Sequence, residues 1–363
     1  MKKVCFFVGD ISRSGGTERV TSIIANYLST HSFEVSILSL QSGSFSFFPL
    51  ENEIRIDSLF DSEGRGVDRF PETVMKLRKY IQNNKIDVLI CVDTLLSLYS
   101  IPALFFLNVR NISWEHFNFR NNLGKKTRTI SRYVSALFSD DIVTLTRQDM
   151  YLWRKNTILR ANITQIYNPV SYELSEKTVG SGNVILAVGH LTYVKGFDLL
   201  ISAWANICRI HTDWILRIVG SGEEELTLHR LCVDLNITQY VEFVPATRNI
   251  DYYYQNSSVL ALTSRFEGFP MVLLEAQEYG LPIVAFDCMT GPSELIIDSS
   301  TGWLVEENNV ELFSEKLSEV INMIQAEPLR HKDMVSNAKR NSKRFSKSAI
   351  GKQWIELLSA KKK

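Results

Sequence analysis

Two glutamates in the segment SRFEGFPMVLLE, residues 264–275, are the strongest candidates for chemistry in this sequence. Glu267 precedes a glycine and a proline, and Glu275 lies in the hydrophobic run after them. This spacing predicts one carboxylate on a loop and the other inside a helix. The start of a helix suits a pyrophosphate, because its N–H groups are unpaired and its dipole end is positive. A carboxylate inside the helix can accept hydrogen bonds from hydroxyls, and a nucleotide sugar carries both groups.

Gly15 and Gly16 belong to a second candidate loop, DISRSGGTERV, at residues 10–20. The glycines end a strand-to-helix turn, and Thr17 can cap the helix that follows. Such a loop lets backbone N–H groups approach a phosphate or a sugar, although a purely structural turn is the alternative. The pattern is not GxGxxG, which argues against a dinucleotide-dependent dehydrogenase.

Two further loops carry a histidine and a lysine. His116 follows a predicted strand over residues 107–112 and stands beside Glu115, which can hold its tautomer or raise its pKa. Lys195, in GHLTYVKGFD, can present an ammonium group to a diphosphate, and Gly196 permits a tight turn. Each residue alone has an ordinary structural explanation, a satisfied histidine or an exposed lysine.

The turn VGSGEEE completes the candidate donor site. Gly220 and Gly222 follow a predicted strand, and Arg265 adds a cation beside the glutamate pair. Backbone N–H groups at the start of the predicted helix are available to sugar hydroxyls, with Glu267 reaching the sugar and Glu275 the ribose. The residues supplying these N–H groups are Phe269, Met271 and Val272.

The order of elements predicts an α/β fold. Short aliphatic runs such as VCFFVG and VLICV alternate with helical patterns, which is typical of parallel sheets with helices on both faces. A polar segment at Ser171–Asn183 predicts a linker between two facing Rossmann-like domains, 1–172 and 183–346, with a cleft between them. A last helix at about 347–360 either packs back on the first domain or caps the second.

Composition places the chain among globular proteins. Its 363 residues are 45% hydrophobic and 22% charged, and five scattered cysteines lack metal spacing, which indicates a reducing, cytoplasmic compartment. The apolar stretch over residues 95–109 is too interrupted to span a membrane.

Residues 1–170 contain 21 Lys and Arg against 16 Asp and Glu, so this half favours an anionic partner. No basic array typical of nucleic-acid binding accompanies that charge, and a phospholipid surface or lipid-linked phosphate fits better.

The segment FNFRNNLGKKTRTISRYVSALF has two interpretations. Its apolar residues share one helical face, and its cations lie before and beside that face: Lys125, Lys126, Arg128 and Arg132. An ordinary core-facing helix with a solvated basic side is one interpretation. The other is a surface that contacts the acceptor and an anionic membrane.

Together these motifs resemble glycosyltransferase family 4, the retaining enzymes of glycosyltransferase B-type architecture. The resemblance extends from the Gly-Gly loop and the WEH segment to VGHLTYVKGFDLL, VGSGEEE, the paired glutamates, GLPIVAFD and GPSELI. It implies a nucleoside diphosphate sugar on the second domain and the acceptor on the first. Carried over by motif, Lys195 steadies the departing diphosphate, Glu267 binds the donor sugar, Glu275 the ribose, and His116 the sugar near the reacting carbon.

One position departs from the family pattern. His190 stands where the family commonly has an arginine, so either His190 or Arg265 must supply that phosphate contact. The sequence contains no D-x-D pair, and no cofactor or metal is expected. The resemblance implies front-face attack with retention of configuration.

The resulting expectation is a cytoplasmic, membrane-peripheral hexosyltransferase of O-antigen, capsule or lipopolysaccharide assembly. The preferred donors are UDP-galactose, UDP-N-acetylgalactosamine and UDP-glucose, and the acceptor is a lipid-linked glycan at the inner membrane. GDP-mannose is the alternative donor. A UDP-N-acetylglucosamine epimerase and a non-catalytic glycan-binding scaffold are the rival functions.

Overall fold

The computed structural model describes residues 1–43, 45–62, 68–122, 124–170 and 182–360. The chain divides into two compact units, one formed by 1–171 with 346–363 and the other by 172–345. Most of the predicted linker, at residues 171–181, lies outside the described residues. Each unit is a parallel sheet flanked by helices, as the alternation of elements predicted.

The first unit contains a seven-stranded sheet among its described residues, in the spatial order β3-β2-β1-β4-β5-β6-β7. Its strands are β1 (Lys2–Val8), β2 (Phe33–Ser39), β3 (Arg55–Ser58), β4 (Val88–Val92), β5 (Arg110–Trp114), β6 (Asp141–Thr144) and β7 (Asn162–Gln165). Its helices up to residue 170 are α1 (Gly16–Ser29), α2 (Phe70–Asn84), α3 (Ser97–Leu104), α4 (Lys126–Phe138) and α5 (Arg147–Asn156).

The second unit contains a six-stranded sheet among its described residues, in the order β10-β9-β8-β11-β12-β13. Its strands are β8 (Val184–Val188), β9 (Ile215–Val219), β10 (Val241–Val244), β11 (Val259–Leu262), β12 (Ile283–Phe286) and β13 (Gly302–Val305). Its helices are α6 (Phe197–Ile207), α7 (Glu225–Asp234), α8 (Ile250–Gln255), α9 (Met271–Glu278), α10 (Pro292–Leu295), α11 (Val310–Ala326) and α12 (Pro328–Ser342). The last helix, α13 (Lys347–Ser359), belongs to the first unit.

Burial explains why these segments form strands and helices. All five residues of β4 are buried, because helices cover both faces of a parallel sheet. Helix α1 buries Val20, Ile24 and Leu28, which repeat every four residues and so lie on one face. Helix α13 packs along α1, and its Leu358 carbonyl accepts a hydrogen bond from the ammonium of Lys2 at 2.6 Å.

Strand β5 starts three residues later than predicted. Its first residue, Arg110, pairs with Val88 of β4, so the neighbouring strand sets where the extended segment begins. Leu107 and Val109 instead pack into the apolar cluster beside α2 and α3. The shift places Trp114 inside the sheet and puts Glu115 and His116 directly at its carboxyl edge.

Candidate donor and acceptor sites

In the second unit, the predicted donor residues surround the carboxyl ends of β8, β9 and β11. Helix α9 begins directly after Pro270, as predicted, and its first residues are Met271 and Val272. Their backbone N–H groups have no acceptor within the helix, since these are its first two positions. Phe269 is buried just before the helix. A helix start of this kind is suited to an anion.

Lys195 and Glu267 form an ion pair at this helix start. The Lys195 Nζ lies 2.7 Å from the Glu267 Oε1, and the side chains are 25% and 8% exposed. The main chain of Glu267 is fixed as well, because the hydroxyl of Thr290 donates to its carbonyl at 2.5 Å. An ammonium and a carboxylate thus stand together, one suited to phosphate oxygens and the other to sugar hydroxyls.

Arg265, one of the two predicted substitutes for the missing arginine, is already engaged in contacts within its own unit. Its guanidinium binds both carboxylate oxygens of Asp198, at 2.9 and 2.6 Å, and the carbonyl of Tyr193 at 2.7 Å. It also lies over the Tyr193 ring, 4.0 Å from the ring centroid. Arg265 therefore holds the turn that carries Lys195. His190, the other candidate, is exposed.

Glycines let three loops approach one another closely. A Cβ on Gly220 would lie 1.9 Å from the carbonyl oxygen of Gly189, and one on Gly222 would lie 2.3 Å from that of Leu191. Gly196 has a φ of 63° and faces the Thr263 carbonyl in the same way. Gly220 and Gly222 therefore permit close packing between loops of the second unit, and their contact with the donor stays a prediction.

Glu275 lies inside α9 and is buried, as the spacing predicted. Its Oε2 accepts a hydrogen bond from the Tyr254 hydroxyl at 2.8 Å. The Tyr254 ring stacks on Tyr279 with centroids 5.2 Å apart, and the Tyr279 hydroxyl donates to Asp251 at 2.6 Å. Two tyrosines from outside the motif therefore orient the carboxylate, and nothing in the spacing of the motif indicated them.

In the first unit, Glu115 does not interact with His116 as predicted. The Glu115 carboxylate accepts from Arg132 Nε at 2.8 Å, from the Thr94 hydroxyl at 2.9 Å and from the Phe117 N–H at 3.0 Å. It does not raise the pKa of His116. Burial, together with the positive charge of Arg128, lowers that pKa to about 3, so the imidazole is neutral at physiological pH.

His116 is held by aromatic rings. Its ring centroid lies 4.4 Å from that of Trp114, which in turn contacts Trp354 of α13 at 4.7 Å. The side chain is 8% exposed, and its Nε2 is buried without a hydrogen-bond partner among the described residues. A neutral ring nitrogen in this setting can donate to or accept from a hydroxyl of a ligand.

In the segment FNFRNNLGKKTRTISRYVSALF, two of the four cations are not on the surface, although both interpretations placed them there. Arg128 and Arg132 are 4% and 2% exposed and face the protein interior, so they neither form a solvated side nor contact a membrane. Arg128 binds both oxygens of Asp93, at 3.0 and 2.9 Å. The apolar residues of α4 point outward instead, and Ile130 is 54% exposed. Buried acids beyond the segment draw its arginines inward, and the segment alone does not reveal them.

The predicted Gly-Gly loop is placed as expected, with one correction. Helix α1 starts at Gly16, so its N-cap is Gly15 and Thr17 lies inside the first turn, where it caps nothing. A Cβ on Gly16 would meet no atom within 4 Å, whereas one on Gly15 would meet the Glu18 carboxylate at 2.3 Å. The surface beside Gly16 is therefore open to a ligand.

Two structural features are absent from the described residues. No described helix is both long and apolar enough to span a bilayer. No cluster of three or more His, Cys, Asp or Glu side chains among the described residues has a metal-binding arrangement.

Sequence comparison identifies the class. The model of Glycosyltransferase Family 4 matches residues 14–174, and that of Glycosyl transferases group 1 matches residues 174–341. The chain therefore belongs to the family 4 glycosyltransferases, and its two Rossmann-like units are those of the glycosyltransferase B type.

Individual relatives match along their whole length. The chain is 36% identical over 359 residues to an uncharacterized glycosyltransferase of Haemophilus influenzae, covering 99% of this chain and 100% of the relative. It is 33% identical to the amylovoran biosynthesis glycosyltransferase AmsD of Erwinia amylovora, with 99% and 100% covered. The Anabaena protein HepE, solved with UDP and glucose, shares the fold with a TM-score of 0.82 at 19% identity, covering 98% and 99% of the two chains.

Proposed function

We propose that this glycosyltransferase moves a hexose or N-acetylhexosamine from a UDP-sugar to a lipid-linked surface glycan, with retention of configuration. The observation that carries the proposal is the Lys195–Glu267 ion pair at the start of α9. It supports the proposal because a cation and the N–H groups at a helix start can stabilise a departing diphosphate, and a carboxylate beside them can bind sugar hydroxyls.

Several relatives support the donor and acceptor. A Campylobacter jejuni relative, 29% identical over 99% of both chains, is named as an α-1,4-N-acetyl-D-galactosaminyltransferase acting on an undecaprenol-diphosphate-linked glycan. A Salmonella typhimurium relative, 27% identical over 340 residues, is named as a lipopolysaccharide 1,6-galactosyltransferase. These names favour UDP-galactose and UDP-N-acetylgalactosamine over GDP-mannose, and O-antigen or related surface glycans over other acceptors.

The proposed reaction is a front-face exchange. The acceptor oxygen bonds to the anomeric carbon, the bond from that carbon to the diphosphate oxygen breaks, and the acceptor proton passes to the departing phosphate. Glu267 is paired with Lys195, which makes it a poor nucleophile and supports this route over a covalent intermediate. The growing negative charge on the diphosphate meets Lys195 and the N–H groups of Met271 and Val272, without a metal ion.

The decisive experiment measures transfer with defined donors. Thermal unfolding with UDP, GDP and their sugars identifies the nucleotide, because a tight ligand raises the melting temperature. The matching donor is then incubated with undecaprenol-diphosphate-linked acceptors, and the product linkage is read by NMR. An α-linked product formed in EDTA supports the proposal. Interconversion of UDP-N-acetylglucosamine without acceptor indicates an epimerase, and no nucleotide binding indicates a scaffold.

We also propose that α4 docks the enzyme on the cytoplasmic face of the inner membrane. The outward side of this helix carries Ile130, Tyr133 and Phe138, which are 54%, 45% and 57% exposed. Lys125 and Lys126 are exposed at its amino-terminal end. No acidic residue occurs between Glu115 and Asp140, so nothing in this stretch repels an anionic surface. Apolar side chains beside cations are the pattern of an interfacial helix.

Vesicle binding tests the membrane proposal. The wild-type protein is expected to sediment with vesicles containing anionic phospholipid, and to dissociate as salt rises. Ile130→Glu and Lys126→Glu should each reduce binding about tenfold. Leu329→Glu is the matched control, since Leu329 is 79% exposed on α12. Equal binding to neutral and anionic vesicles, or equal losses in all three variants, rejects the proposal.

A further inference from the structure

We propose that Arg132 is a positioning residue for His116, and this inference rests on the proposed transferase function. Arg132 lies on α4 and is 2% exposed. Among the described residues, its guanidinium makes no hydrogen bond to the imidazole, and it does not lie on the exposed side of α4. Its guanidinium instead binds the segment that follows β5, which carries His116.

The contacts of Arg132 extend over this segment. Its Nε donates to the Glu115 carboxylate at 2.8 Å, and its Nη1 donates to the Phe119 carbonyl at 2.5 Å. Its Nη2 donates to the carbonyls of Asn118 and Asn121 at 2.9 and 3.0 Å. One planar group therefore makes four hydrogen bonds to residues on both sides of His116. A lysine ammonium cannot reproduce this planar fork.

The partner carboxylate fixes the other side of the histidine. Glu115 precedes His116, and besides Arg132 it accepts from the Thr94 hydroxyl at 2.9 Å and from the Phe117 N–H at 3.0 Å. Its own N–H donates to the Val143 carbonyl of β6 at 2.9 Å. The backbone at 115–117 is thus fixed to the sheet edge, and Arg132 extends that rigidity to residue 121.

These contacts affect the orientation of the His116 imidazole. His116 Nε2 has no hydrogen-bond partner among the described residues, and the ring packs on Trp114. The position of Nε2 therefore depends on this packing and on the backbone of the segment. Misplacement of a reacting group by about 1 Å costs about a hundredfold in rate. Loosening the segment should lower turnover without affecting the second unit, where the nucleotide is proposed to bind.

Arg132→Lys tests the inference against a matched control, Arg110→Lys. Arg110 is also a buried arginine of the first unit, pairing with Asp141 at 2.6 Å and donating to the carbonyls of Leu357 and Ala360. Both variants should lose stability. Arg132→Lys should lower kcat about 10- to 100-fold with the donor KM within threefold of wild type, whereas Arg110→Lys should keep kcat within twofold. Folded fractions are verified by circular dichroism at the assay temperature.

A double-mutant cycle shows whether Arg132 acts through the histidine. His116→Ala combined with Arg132→Lys should be no slower than His116→Ala alone, within twofold, because the group being positioned is already absent. Multiplying losses would overturn the inference, as would wild-type turnover in Arg132→Lys.

Histidine ring ¹⁵N spectra separate this inference from the proposed function. The His116 resonances should shift in Arg132→Lys and stay unchanged in Arg110→Lys, whatever the enzyme catalyses. A wild-type protein that transfers no sugar rejects the proposed function, and unshifted His116 resonances in Arg132→Lys reject the positioning role.

Discussion

The Lys195 ammonium lies 2.7 Å from the Glu267 carboxylate, so two residues 72 positions apart in the sequence neutralise each other at the start of α9. Neither side chain is free to act alone. In the proposed reaction, a departing diphosphate would compete with Glu267 for the ammonium, and the carboxylate would then become available to the sugar hydroxyls. Such an exchange of partners would link leaving-group stabilisation to sugar binding.

The first prediction concerns this pair. Lys195→Ala and Glu267→Gln should each lower kcat by about two or more orders of magnitude, since each removes charge stabilisation of the transition state. Melting temperatures should change little, because the pair is partly exposed. Lys316→Ala is the control, since Lys316 forms a comparable surface pair with Glu319 at 2.9 Å. Near-normal turnover in both site variants would remove the pair from the mechanism.

The second prediction compares two glycines. Gly220→Ala would place a Cβ 1.9 Å from the Gly189 carbonyl oxygen, so the two loops must move apart. The free energy of unfolding should fall by about 1–3 kcal/mol. Gly16→Ala places its Cβ in open space within α1 and should leave stability equal or about 0.5 kcal/mol higher. Urea unfolding monitored by tryptophan fluorescence measures both. Equal stabilities for the two variants would show that the loop contact is unimportant.

The third prediction is a pH dependence of stability produced by Asp149. Burial and the negative charge of Glu115 raise the pKa of Asp149 to about 7, although the Phe119 N–H and Arg132 oppose the shift. The folded state thus retains a proton that the unfolded chain releases near pH 4. This group's contribution to the free energy of unfolding is therefore complete below pH 4 and declines until about pH 7.

His116 changes stability with pH in the opposite direction to Asp149. Its folded pKa is lowered to about 3, so its contribution is complete above its unfolded value of 6.5 and is lost as the pH falls towards 3. The two residues therefore oppose each other between pH 4 and 6.5. Relative to wild type, Asp149→Asn should gain stability as pH rises from 4 to 7, and His116→Gln should lose it as pH rises from 4 to 6.5. Parallel curves for wild type and both variants would refute these assignments.

Periodicity and spacing predicted much of the fold correctly. Strands and helices alternate in both units, as the sequence predicted, and α9 begins after Pro270, as the spacing of the glutamates predicted. These signals are local, because helix caps and apolar spacing act within a few residues. The half-exposed edge strand β3, with the sequence RIDS, carries no such signal and was missed.

The site was less predictable, because partners distant in sequence determine whether a charged side chain faces the solvent or the protein interior. Arg128 and Arg132 are indistinguishable from solvated cations until Asp93 and Glu115 are brought beneath α4 by the sheet. Arg265 likewise pairs with Asp198, 67 positions earlier, a contact that the local sequence does not indicate. Charge and spacing identified loops at the ends of strands, whereas the ion pairs between residues distant in sequence depend on the folded chain.

The fourth prediction tests the orientation of Glu275. Tyr254→Phe removes a hydroxyl that donates to the buried carboxylate at 2.8 Å, at a cost of about 1–3 kcal/mol in stability. A carboxylate that is less firmly oriented should also bind a ribose less well, so UDP affinity should fall several-fold in calorimetric titration. Tyr252→Phe is the matched control on the same helix, because Tyr252 is 52% exposed. A stability loss with unchanged UDP affinity would separate Glu275 from the nucleotide site, whereas losses in both measurements would place the ribose on α9.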